Sequence, residues 1–299
     1  MKKRVLITGG TGLIGRRTVL ALKQAGYYVI ALSRAAAQDG ADLTIQCDLL
    51  DDRSTTHAIA QAEATHLVHL AWHDAPQGRW TAAENLDWAA ASLHLVRQFA
   101  AYGGRHMVGA GSCAEYDWSY EVLTETTPLN PSTLYGKAKA ATGTLLTQAA
   151  TDLELTVAWA RIFFCYGPGE PRGRLLGDLI HGLRIGETVA CTDGLQRRDF
   201  LHTDDIAAAL VHLLSQGAEG PFNVASGSAI QVRELIETTA ELAGRPDLIE
   251  LGARARPADD PPILRANVER LAAIGFRPQI ELEDGLADCL RAVGMEPIL

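Results

Sequence analysis

Residues 4–15 read RVLITGGTGLIG, and the join between the two halves of this stretch decides the fold. The first half carries Val5, Leu6 and Ile7 in a row, the pattern of a strand buried on both faces. The second sets glycines at 9, 12 and 15 and opens a helical stretch that runs to Gly26, a residue suited to ending a helix. Glycine at such a turn lets the chain reverse tightly and lets a pyrophosphate come close to the backbone. The helix behind it aims its free N–H groups at the same point. Strand, glycine turn and helix at the head of the chain predict a dinucleotide-binding α/β domain.

Outward from this stretch the alternation continues. Apolar runs at 28–32, 43–47, 66–70, 106–109 and 155–163 predict five more strands, with helices over 82–101 and 139–151 among the connections. That order is the signature of a doubly wound parallel sheet. Beyond Tyr166-Gly-Pro-Gly169 glycine, proline and arginine become denser, and helices at 174–185 and 232–243 are separated by loops. The expected organisation is a Rossmann-type domain over 1–165, to which 200–225 returns, and a smaller α+β substrate lobe over 166–299.

The chain has 299 residues, 47% of them hydrophobic, enough for a large core. A net charge of −9 argues against a general nucleic-acid surface, although a local arginine pocket for a phosphorylated small molecule remains compatible with it. Five cysteines without a C-x-x-C pair suit free thiols in a reducing compartment. The apolar run after Lys3 is too short for a signal-peptide core or a membrane span. The expected location is cytoplasmic.

The chemistry is expected at Ser112, Tyr135 and Lys139. On a helix opening at Tyr135, Lys139 lies one turn on and on the same face. A free phenol titrates near ~10, and bringing it to neutrality takes roughly 4 kcal/mol, about what one cation ~4 Å away supplies at an effective dielectric near 20. Lys139 is expected to be that cation, with the Ser112 hydroxyl holding a carbonyl or alcohol oxygen against the phenol. After the second strand an NAD-selective site has an acid for the ribose hydroxyls. This chain has Ser33 and Arg34 instead, which suit a 2′-phosphate, with Arg16 or Arg17 helping, so NADP is favoured over NAD. Asp48 suits an adenine amino group or a helix cap. His69 and His73 have zinc-like spacing but straddle a strand end without a third ligand, so no metal is expected. Trp72 and His73 are expected at the pocket mouth, and Asn85 as a buried polar brace.

These residues resemble the extended short-chain dehydrogenase/reductases, specifically the nucleotide-sugar epimerase/dehydratase family. The likeness runs through TGGTGLIG (8–15), Asp48-Leu49, HLA (69–71), Asn85, Ser112, YGKAK (135–139), YGPG (166–169), RDFLHTDD (198–205) and FNVASG (222–227). It implies a general acid/base at Tyr135, a ribose-holding Lys139 and an orienting Ser112. It also implies cofactor contacts from Gly9, Thr11, Gly12, Leu13, Ile14, Gly15, Ser33, Arg34, Asp48, Leu49, Leu70 and Ala71. The substrate side would take Trp72, His73, Ser112, Arg198 and Arg256, the two arginines on a diphosphate. A homodimer through the two long helices belongs to the same expectation.

Two departures bear on the reaction. Dehydratases of the family carry an Asp-Glu pair after the catalytic hydroxyl residue, whereas this chain has Cys113 and Ala114, which cannot pass the proton of a water elimination; Glu115 comes one residue late. Phe164 stands where many members have an asparagine near the diphosphate. The expected function is therefore NADPH-dependent reduction of a nucleotide-linked 4-keto sugar. The alternative is a 4-epimerase with tightly bound NAD, favoured less because no acid follows the second strand. A non-catalytic dinucleotide sensor is the rival from another class, and such a protein has no need of Tyr135 and Lys139.

Overall fold

The computed structural model describes residues 3–73 and 78–298; Met1 and Lys2 of the N-terminal reading lie outside them. The first half alternates as expected: β1 (Arg4–Thr8), α1 (Leu13–Gln24), β2 (Tyr28–Ser33), β3 (Leu43–Gln46), α2 (Asp52–Ala62), β4 (His66–His69), α3 (Glu84–Ala101) and β5 (His106–Ser112). A 3₁₀ turn at Cys113–Glu115 leads to β6 (Val122–Leu123), α4 (Leu134–Gln148), β7 (Thr156–Ile162) and β8 (Phe164–Tyr166). The second half holds α5 (Leu175–Ile185), β9 (Val189–Ala190), β10 (Arg197–His202), α6 (Thr203–Gln216), β11 (Gly220–Val224) and β12 (Ala229–Gln231). It closes with α7 (Val232–Leu242), β13 (Ile249–Glu250), β14 (Ile263–Ala266), α8 (Glu269–Ala273) and α9 (Leu282–Arg291).

Seven strands form one sheet in the order β11-β7-β5-β4-β1-β2-β3, and every pairing in it is parallel. Strand alternation sends β1 residues to opposite faces. Val5 and Ile7 join Val29, Val108 and Leu210 on the side covered by α1 and α6. Leu6 joins Ile30, Leu67, Leu95 and Phe99 on the side covered by α2, α3 and α4. Both faces are dry, which is why β1 reads as unbroken apolar sequence. Truncating Ile7 or Leu67 to alanine at such a position costs about 2–5 kcal/mol.

Strand order reverses between β1 and β4, where the chain has built outward in both directions. In open α/β sheets this reversal leaves a crevice outside the carboxyl ends of the strands. Thr8, His69 and Ser112 end β1, β4 and β5 at that crevice. From the other side β10 pairs with β8, β12 and β14, and β14 with β6. Around them α5, α7 and α9 share a separate apolar cluster containing Leu179, Leu235 and Leu290. Within the stretch 200–225, β11 lies beside β7 in the large sheet, whereas β10 belongs to the smaller one. Among the described residues no helix is long and apolar enough to cross a membrane.

Candidate active site

The glycine turn is built to leave backbone uncovered. Gly9 has φ +69°, and a Cβ on it would lie 2.6 Å from the Ala71 nitrogen; a Cβ on Gly15 would lie 2.0 Å from the Gly9 carbonyl oxygen. Side chains are excluded at both positions, so the turn can close against α1. Gly12 caps α1 without a side-chain hydrogen bond, and no acid sits in the first turn. The leading N–H groups thus keep their capacity for an anion. Those residues fit a dinucleotide pyrophosphate. Gly9, Thr11, Gly12, Leu13, Ile14, Gly15 and Leu70 all line the central cleft, and Ala71 meets the turn by donating its N–H to Thr8 Oγ1 at 3.2 Å.

Beyond the turn the expectations for a 2′-phosphate meet a different arrangement. Arg16 donates to the carbonyls of Pro168 and Gly169 at 2.7 and 2.9 Å, and Arg17 pairs with Asp204 at 3.1 Å. Both therefore serve contacts to the second half of the chain rather than a group beside Arg34. Arg34 is exposed and its carbonyl takes the Gln46 amide, while the Ser33 hydroxyl accepts from Ala35 N. Asp48 accepts from Leu50 N and Leu49 is buried. The cap of α2 is Asp51, which accepts from Arg53 and Ser54.

Ser112, Tyr135 and Lys139 come together on one wall of that cleft. Thr133 caps α4 by accepting from Gly136, so the helix opens one residue before Tyr135 and puts Lys139 beneath it. The Ser112 hydroxyl accepts from Ala114 N at 3.2 Å and acts to lower the pKa of the phenol. Lys139 is buried and donates to the Ala110 carbonyl at 2.8 Å, with its ammonium 3.8 Å from the centre of the Trp72 ring. The hydrogen bond of the Lys139 ammonium thus goes to the end of β5 and not to the phenol. Desolvation pushes Tyr135 up to about 12, offset in part by the Ser112 hydroxyl and then by the Arg79 charge. Desolvation also pulls Lys139 down to about 7, partly offset by Glu115. A cation one helical turn away acts on a phenol only if it points there, and Lys139 points at the end of β5.

His69 belongs to a hydrogen-bonded chain. Thr8 Oγ1, already accepting from Ala71, bonds His69 Nδ1 at 2.7 Å, and His69 Nε2 meets Ser92 Oγ at 2.8 Å, which in turn donates to the Trp88 carbonyl. The sequence of donors fixes the proton on Nε2. Burial and the Lys139 charge hold the ring neutral, with a pKa lowered to about 3. His73 and Trp72 line the cleft. Asn85 is fully buried; it accepts from Trp72 Nε1 and donates to the carbonyls of Arg79 and Ala82, so it holds the loop that carries Trp72 and Arg79.

The cleft has a volume of about 1060 Å³, just above the ~300–1,000 Å³ range of single-ligand pockets. Arg198 lines it, yet its guanidinium already donates to Asp260 and to the carbonyls of Arg197 and Pro261, and it lies over the Phe164 ring. Arg256 is exposed, pairs with Asp193 and is not among the lining residues; Arg254 is. Sequence reasoning missed Arg79, Trp80, Glu170 and Arg174 on the cleft wall. Trp80 stands edge-on to Tyr135 at 5.3 Å. Burial pushes Glu170 up to about 7. No local pattern marks these four, because loops bring them in.

A model of the NAD dependent epimerase/dehydratase family matches residues 5–225, and the chain belongs to that family. It is 27% identical to a UDP-glucose 4-epimerase of Halalkalibacterium halodurans, over 92% of this chain and 90% of that protein. Among solved structures it resembles MoeE5 in complex with UDP-glucuronic acid and NAD, with 30% identity, a TM-score of 0.85 and coverage of 97% and 99% of the two chains. It also shares its fold with a UDP-glucose 4-epimerase of Thermotoga maritima, at a TM-score of 0.88 and 23% identity over 97% and 98%. The protein is thus an extended short-chain dehydrogenase/reductase of the nucleotide-sugar type, an oxidoreductase or an epimerase.

Proposed function

We propose that the chain is a nucleotide-sugar 4-epimerase that works with bound NAD. What carries this reading is a Ser–Tyr–Lys set opening on the same cleft as the glycine turn, in a chain aligned over nine-tenths of its length with a UDP-glucose 4-epimerase. It moves the weight from reduction to epimerisation, and from NADP to NAD. The engagement of Arg16 and Arg17 away from Arg34 supports the second change.

When bound, NAD supplies the acceptor and donor of hydride and, in its oxidised form, a positive charge that favours phenolate. Residues 9–15 would hold its pyrophosphate and Lys139 its nicotinamide ribose. Tyr135 takes the proton of the C4 hydroxyl as hydride leaves C4, and returns it to the oxygen when hydride comes back on the other face. Ser112 shares that oxygen throughout and keeps it against the phenol. Arg198 and Arg254 face the diphosphate, Arg198 without leaving Asp260. Trp72 and His73 close the mouth. The same reading includes a cytoplasmic homodimer, for which α3 and α4 pack side by side and expose Leu86 and Leu145; an elution volume tests it.

The test is to incubate purified protein with UDP-glucose and with UDP-galactose. Interconversion with no net change in NADH absorbance, and NAD released on denaturation, supports the epimerase. Stoichiometric consumption of NADPH with a 4-keto sugar supports the second reading, a 4-ketoreductase, which rests on Ser33 and Arg34 standing after β2 where an NAD-selective site has an acid.

A further inference from the structure

Behind the cleft wall lies a buried ionic cluster that the reaction as described does not use. Glu115 has no exposed surface. One of its carboxylate oxygens accepts from Ser112 N at 2.8 Å and from Trp159 Nε1 at 3.0 Å. The other accepts from Arg161 Nε at 2.8 Å. Arg161 continues to the Tyr116 hydroxyl and the Glu125 carbonyl, and Tyr116 donates to Asn223 on β11 at 2.6 Å. Space for the indole is made by glycines: a Cβ on Gly109, Gly111 or Gly143 would come within 2.5, 2.4 or 2.3 Å of Trp159. A Cβ on Gly111 would also lie 2.6 Å from the Glu115 carboxylate. Three positions on two elements, β5 and α4, have thus given up side chains around this one donor and its acceptor.

The end of β5 is held from two sides by opposite charges. Lys139 grips the carbonyl of Ala110, and Glu115 grips the N–H of Ser112 two residues on. We propose that Glu115 is a positioning residue for the epimerase reading above, fixing Ser112 in place and acting through β5 as the buried counter-charge of Lys139. The groups that face Lys139 leave that duty to it. Tyr135 lies on the same helix, His69 on β4 is neutral, and the Trp72 and Trp159 rings offer faces at 3.8 and 6.0 Å. Burial is the larger influence on both groups, and the Glu115 charge adds to it by raising the pKa of Lys139 and of Tyr135, so losing that charge moves the working range of the pair to lower pH. On the far side Arg161 partners the carboxylate and keeps it from standing alone.

The test compares Glu115→Gln, Glu115→Asp and Trp159→Phe in the full-length protein. The amide of E115Q keeps an acceptor for Ser112 but loses the charge. Expected for it are a kcat lower by about 10- to 100-fold, the scale of a charge-assisted hydrogen bond, and a KM within threefold of wild type on the order of ordinary substitution effects. Its pH–rate profile, and the pH dependence of NAD affinity read by fluorescence, move to lower pH by about one unit. E115D lowers kcat but leaves the profile in place. W159F keeps the charge and also leaves it in place, so it stands in if E115Q does not fold. A profile unmoved in folded E115Q, or moved equally by E115D or W159F, overturns the proposal and leaves a structural role. Absence of epimerisation and NAD binding in the wild type instead sinks the functional reading, before any variant is compared.

Discussion

The turn at residues 9–15 and the junction at 198–205 carry family motifs of equal clarity and use them in opposite ways. In the turn, glycines remove side chains and the first N–H groups of α1 stay free of caps. At the junction most polar side chains are engaged inside the protein, with His202 Nε2 and Thr203 Oγ1 buried and unpartnered. Asp199, fully buried, accepts from Ser226 N, Ser226 Oγ, Gly227 N and Ala266 N. Asp205 accepts from Gln279 and Ile280, and His202 caps α6. The glycine turn directs its donors to the cleft, whereas of the junction only Arg198 and Phe200 line it. At 198–205 the recurring residues lock β10 to the 226–227 turn and to β14, which fixes how the second half meets the large sheet.

The sharpest attempt to break this contrast is made at the phenol. Tyr135→Phe should lower turnover by about 10²–10⁴-fold, the usual worth of a positioned acid/base, while NAD affinity by fluorescence stays within threefold, since the glycine turn is untouched. A dinucleotide sensor would instead keep its function. Next comes Gly15→Ala, whose Cβ would strike the Gly9 carbonyl. It should cost about 1–3 kcal/mol by denaturant titration and weaken NAD at least about tenfold, both through closure of the turn.

On the other side of the comparison, Asp199→Asn should disturb stability and its pH dependence but not NAD affinity. Burial raises the Asp199 carboxyl to about 6. The folded state therefore binds more protons than the unfolded one between about 4 and 6, and this group makes stability fall as pH rises through that window. Two units correspond to about 3 kcal/mol. The asparagine variant should show a flatter slope of unfolding free energy there. An unchanged slope would mean that the carboxylate is better satisfied than its burial suggests. The smallest effect is expected at Arg256→Ala, which breaks an exposed pair with Asp193: under about 0.5 kcal/mol in stability and under twofold in kcat/KM. A large rise in KM would put Arg256 back on the diphosphate and erase the distinction drawn from the cleft wall.

How far the site could be read from sequence follows the range of the interactions. The glycine turn, the Tyr135–Lys139 face and the delivery of Ser112 by β5 are set by local geometry and by where a parallel sheet ends, so they were legible. The acidity of Tyr135 was not, because a spacing of four residues fixes neighbourhood but not direction. Lys139 turns to Ala110, and the phenol feels Arg79 from a different loop. Glu115 shows the same limit. One residue late for elimination chemistry, it reads as irrelevant until β7 brings Trp159 and Arg161 against it.

By itself the sequence determined the alternation of strands and helices, the glycine turn and the face shared by Tyr135 and Lys139, because hydrophobic periodicity and glycine spacing act over a few residues. Tertiary structure alone decided which arginines are spent in internal pairs, which carboxylate lies behind Ser112, and which cation the phenol meets. Those are questions of direction and desolvation among groups far apart in the chain, and charge strength in a protein depends on what water has been removed from around it.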